Sequence, residues 1–281
     1  MYLHSNNSDE SAVAVLVSKG LNGLLEDIDD PGLPALSQDD FESLFRLLEL
    51  HRDAVGQHEV GRLEWAFLPA LGYDPVVPTL HSRMAELPAF FLQVLSTVYQ
   101  RQSTDPEVLT DEEAAERAAR ASNGYRLLSS WGEPPGLVGG ALDPDVLKGW
   151  VDETVGLLTE ADRLKVGLSH LGQALASSPP DPDGSWPPKA VRDLFEELQS
   201  ESLESGFSIQ IANSRGVTSR GLEDGGAQER ALVDKYRADA EEFKDRWPRT
   251  AAILRRLAGS YSAEARRDED EAERFRRGLE G

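Results

Sequence analysis

The chain has no cysteine among its 281 residues. That excludes disulfides, thiolate catalysis and cysteine-based zinc sites, and it fits a reducing compartment. Long apolar runs are missing too. The longest near the start, "AVAVLV" at 12–17, has no basic flank before it. It falls far below the ~18 residues that span a bilayer, and it does not read as a secretory signal, so a cytoplasmic location is expected. Lysine is scarce, with 6 against 23 arginines. Basic residues as a whole number 29 against 50 acidic ones, for a net charge of −21. An acidic surface repels phosphate backbones, which argues against direct nucleic-acid binding.

Catalytic and cofactor signatures are absent as well. The chain carries no GxSxG, no GxGxxG, no GxxxxGK[ST] and no HExxH. No nucleophile–base set can be assembled, so an enzyme is the least supported class and no cofactor is expected. The five histidines, His4, His51, His58, His81 and His170, show no ligand spacing and read as surface residues; no metal site is expected. Paired carboxylates are too common here to mean more than solvated helix faces.

What the sequence does hold is amphipathic helix. Ser37 precedes two acids, Asp39 and Asp40, and then Phe41, Leu44, Phe45 and Leu48 at helical spacing. Pro69 ends or kinks the next helix, and Pro88 opens another. Thr110 and Glu113 form a capping-box pattern. "GEPPGLVGGAL" (132–142) reads as a loop, and Asp143-Pro144 restarts a helix whose expected antiparallel partner is 163–176. Gly167 and Gly172 weaken that partner. Three prolines in "SSPPDPDGSW" (177–186) mark a strong loop. Pro188 then opens a helix running to about residue 203. Pro248 opens the last helix, whose end from Ala265 is charged nearly all round. About nine helices joined by short links predict an all-α fold, with antiparallel helix pairs in a solenoid-like, HEAT-like stack or an irregular bundle. An apolar content of 40% is lean, which a layered array tolerates because each layer buries only its inner face. Three segments follow from the linkers: 1–102, 110–178 with central hairpins, and 185–281.

The third segment differs from the rest. Residues 1–100 hold 15 acids and 5 bases, a net of −10, whereas residues 201–281 hold 17 and 15, a net of −2. Within it lies "FSIQIANSRGVTSRGLEDGGAQERAL" (207–232). Phe207, Ile209 and Ile211 alternate and suggest a short strand, or else the end of the preceding helix. Asn213, Arg215, Arg220, Gln228 and Arg230 offer donors, and Gly216, Gly225 and Gly226 let backbone approach a ligand. Glu223 and Asp224 oppose a pure anion site. The alternative is an ordered loop whose arginines pair with nearby acids.

The stretches "LEWAFLPAL", "DPDGSWPPKAVRDLFEEL", "NSRGVTSRGLEDGGAQER" and "RWPRTAAILRRLAGSYSAEARRDEDEAERFRRG" resemble the C-terminal helical region of a group of large, mostly uncharacterised bacterial proteins. The resemblance covers most of residues 60–281. In that group a similar tract ends a long HEAT-like array, sometimes in settings of conflict or phage defence. It implies a scaffold or interaction domain with a protein partner, and carries over no catalytic residue. The alternative expectation is a module that holds an anionic small molecule or nucleotide at 207–232.

Overall fold

The computed structural model describes residues 3–26, 36–72, 75–100, 109–214 and 227–279. Among them are thirteen α-helices, one 3-10 turn and one two-stranded hairpin, so the chain is all-α. No helix among the described residues is long and apolar enough to cross a membrane. Packing divides the chain into two units: residues 1–131 with 152–163, and residues 132–151 with 164–281.

The first unit begins with α1 (Leu3–Glu26), α2 (Gln38–Leu50), α3 (Arg52–Val55) and α4 (Gln57–Phe67). Ser37 caps α2 as expected: its Oγ accepts from Asp40 N at 3.2 Å, and Asp40 Oδ2 accepts from Ser37 N at 2.9 Å. Phe67 packs its ring against Phe41 and Phe45, with centroids 5.2 and 6.1 Å away. Pro69 sits in the 3-10 turn Leu68–Ala70 that ends α4. Helices α5 (Pro78–Glu86) and α6 (Pro88–Val98) each open on a proline. The Thr110–Glu113 capping box starts α7 (Asp111–Ser130), which packs along α6.

The second unit opens on a feature expected as loop. Leu137–Val138 (β1) pairs antiparallel with Ala141–Leu142 (β2). Gly139 and Gly140 form the turn with φ of 59° and 84°, values that favour glycine. Asp143 Oδ1 then accepts from Asp145 N and Val146 N, starting α8 (Pro144–Glu160).

Helix α9 (Leu164–Leu175) explains its own glycines. It packs on α11 (Glu201–Asn213) rather than merely tolerating them. A Cβ at Gly172 would meet Phe207 N at 2.8 Å, and one at Gly206 would meet Ser169 C at 2.7 Å. The two backbones touch because neither residue has a side chain. Between them, α10 (Lys189–Leu198) ends at Gln199, whose φ is 47° and ψ 40°, and Ser200 caps α11 afresh. The single helix expected to run to residue 203 is therefore two.

Of the two expectations for 207–211, a short strand or the end of a helix, the structure has the helix. Phe207 and Ile211 are buried four residues apart, while Ile209 is 46% exposed. Trp186 stacks on Phe207 at 5.3 Å, and Phe195 meets it edge-on at 5.1 Å. Helix α12 (Ala227–Phe243) and the long α13 (Pro248–Leu279) complete the unit and pack along each other.

Candidate functional site

The sequence-predicted site is split by the structure. Asn213 is the exposed last residue of α11. Gln228 and Arg230 are exposed in the first turn of α12. Arg215, Gly216, Arg220, Gly225 and Gly226 lie outside the described residues.

Arg230 belongs to a concavity of about 330 Å³ between α12 and α13. Arg230, Val233, Asp234 and Arg237 line one wall at helical spacing, and Ser262, Ala265, Arg266 and Glu269 line the other. Small side chains at 262 and 265 leave the space open. Beneath, Tyr236 stacks on Tyr261 at 5.7 Å and holds the two helices in register.

Three guanidiniums face this concavity against two carboxylates. Arg230 pairs with Glu269. Arg266 reaches Ser262 Oγ at 3.5 Å, at the edge of hydrogen-bond range. Arg237 is exposed, with no ion pair or hydrogen bond among the described residues. Such a set recognises carboxylate or phosphate oxygens through forked N–H donors. No histidine lines it.

The same helices bring three acids together. Carboxylate oxygens of Glu229, Glu264 and Asp268 all lie within 4.8 Å of one another, and Glu229 is 1% exposed. They are the one trio among the described residues with metal-ligand geometry, and an all-oxygen set suits a hard divalent cation. Spacing alone assigns them no role.

Sequence reasoning reached Arg230 and missed Arg237 and Arg266. Arg237 lies one heptad beyond Arg230, outside the glycine-rich stretch. Arg266 is 36 residues further on in the charged tail. A search for basic residues at i, i+7 in the charge-balanced third would have found the first.

Buried titratable groups elsewhere correct the expectation of surface histidines. His51 is 9% exposed, and its Nδ1 lies 3.1 Å from Ser11 Oγ. His170 is 6% exposed. His81 meets Ser130 Oγ at 3.1 Å. Burial holds His81 and His170 down to about 4, so both are neutral. Glu64 of α4 is 1% exposed and accepts from Thr79 N at 3.2 Å and Leu80 N at 2.8 Å, capping α5 from another helix. Desolvation outweighs those two bonds and pushes Glu64 up to about 8.

No protein-family model, no curated protein and no solved structure matches the chain.

Proposed function

We propose that the chain is a non-catalytic helical interaction domain that docks an acidic segment of a protein partner on the arginine face of α12 and α13. The observation that carries this reading is the grouping of Arg230, Arg237 and Arg266 on facing helical stripes of a protein with net charge −21. Arg237 in particular has no acidic partner among the described residues. An acidic peptide is repelled by most of this surface, so the cluster selects both the place and the sign of the partner. The short link between α12 and α13 supports reading the helices as antiparallel pairs, in a HEAT-like stack or an irregular bundle. The resemblance noted above supports a bacterial, cytoplasmic and defence-related setting.

A second reading has its own observation. The concavity of about 330 Å³ is large enough for an anionic small molecule or nucleotide phosphate rather than a flat peptide contact. A single experiment separates the two. A short fluorescent Glu-rich peptide is titrated at low ionic strength, with ATP and inorganic phosphate as competitors. The proposal expects saturable binding of the peptide that weakens by about tenfold or more when Arg230, Arg237 and Arg266 are all replaced by Ala. Binding of ATP or phosphate without the peptide selects the second reading. Equal peptide binding by wild type and triple variant refutes the first.

A further inference from the structure

The first unit holds a second concavity, of about 230 Å³, where α4, α5 and α6 meet. Its lining differs in kind from the arginine face of α12 and α13. Trp65, Leu80, Phe90 and Val94 make it mainly apolar. Leu80 and Val94 are buried, while Trp65 and Phe90 are partly exposed and present ring surface to the opening.

Two arginines stand in this apolar wall, and one of them, Arg62, is paired with Glu59. The guanidinium of Arg83 lies over the Phe90 ring, 5.0 Å from its centroid. Its Nε is buried and has no hydrogen-bond partner. Four other arginines of the unit are satisfied: Arg52 by Glu49, Arg62 by Glu59, Arg126 by the carbonyl of Gly72, and Arg163 by those of Tyr99 and Ala161. Arg83, in a chain rich in acids, has only a ring face among the described residues. A guanidinium in an apolar wall with no acidic partner among the described residues is unfavourable, and an anion entering the cavity supplies that partner. Stacking on Phe90 fixes the plane of the guanidinium, so little side-chain freedom is lost when a carboxylate binds.

The geometry points to a binding site for a small aromatic carboxylate, its ring against Trp65, Phe90 and Val94 and its carboxylate on Arg83. Two features set the class. The apolar wall rejects a bare phosphate, whose hydration it cannot replace. The Arg83 guanidinium favours an acid over a neutral ring of the same shape, because only the acid brings it a counter-charge. The volume limits the ligand to a compact ring acid. This site is independent of the peptide-docking face on α12 and α13.

The test uses the full chain and follows the Trp65 indole N–H in nitrogen–proton spectra, assigned with Trp65→Phe. Benzoate, benzamide and inorganic phosphate are titrated separately. The inference expects benzoate to shift the Trp65 signal saturably. Benzamide should bind about tenfold more weakly, and phosphate should leave the signal in place. Arg83→Met, which keeps the stem over Phe90, should weaken benzoate by about tenfold, and Arg83→Lys should recover part of the loss. Equal responses to benzoate and benzamide in the wild-type chain overturn the inference without recourse to any variant. So does an unchanged benzoate affinity in a folded Arg83→Met chain, or no shift at benzoate concentrations up to about 10 mM.

Discussion

The two units handle buried charge in opposite ways. In the second, Glu204 is 6% exposed and accepts from Arg249 and Arg256, each at 2.7 Å. Arg192, at 5%, donates to Asp181 at 2.7 Å and lies between the rings of Phe243 and Trp247, 4.3 and 4.2 Å from their centroids. Both of these buried ions have a counter-ion. In the first unit, Glu64 has backbone donors but no cation, and Arg83 has a ring but no acid, among the described residues. The contrast separates charge used to lock helices together from charge left open. An open charge titrates or waits for a ligand, and a matched one does neither.

The largest effect is expected where matching is tightest. Arg192→Met should destabilise the chain by about 3 kcal/mol, because it strands Asp181 and vacates the space between two aromatic rings. Chemical denaturation measures it. A loss below about 1 kcal/mol would mean that the pair is no more than a surface contact.

Gly206→Ala comes next, at about 2–3 kcal/mol, since its Cβ would press on the Ser169 carbonyl and force α9 from α11. Gly259→Ala is the control, because a Cβ there meets nothing within 4 Å. Equal melting of the two variants would remove the close crossing from the account.

The open charges should show in the pH dependence of stability. His81 and His170 have folded values near 4 against an ordinary 6.5. Each therefore adds stability above pH 6.5 that is lost as pH falls toward 4. Glu64 has the opposite sign. Its folded value near 8 exceeds the ordinary 4.5, so the folded chain keeps a proton that the unfolded chain releases, and stability falls as pH rises from 4.5 to 8. Two histidines against one glutamate give rising stability to near pH 6.5. Beyond it the loss is about 2 kcal/mol by pH 8. Glu64→Gln should flatten that descending limb, whatever it does to absolute stability. A limb that persists in the variant would assign it to another group.

The smallest effect concerns the acidic trio. A chelator should leave the melting temperature unchanged within about 1 °C. A drop of several degrees would put a divalent cation at Glu229, Glu264 and Asp268.

The same division between local and distant causes decides how much the sequence shows. Ser37, Thr110, Pro88, Pro144 and Pro248 mark helix starts because capping and ring geometry act within four residues. The α9–α11 crossing depends on Gly172 and Gly206, 34 residues apart, and no local rule pairs them. The strand expected at 207–211 arose because Phe207 and Ile211 satisfy both a period of two and an i, i+4 helical step. The exposed Ile209 decides for helix. Histidine burial is likewise tertiary: His81 is covered by Ser130 of α7, 49 residues away. At the candidate site, Arg230 was legible from composition and Arg237 lies a seven-residue step beyond it, whereas Arg266 needed the packing of α12 on α13. Arg83 carried no sequence signal at all, since nothing local distinguishes an arginine over a ring from one in water.

The most direct test of the docking claim is photo-cross-linking of a Glu-rich peptide bearing a benzophenone, with the attachment sites mapped by mass spectrometry. The account predicts cross-links concentrated on α12 and α13 around Arg230, Arg237 and Arg266, lost at high salt. Cross-links confined to α4–α6, or spread evenly over the chain, would contradict it.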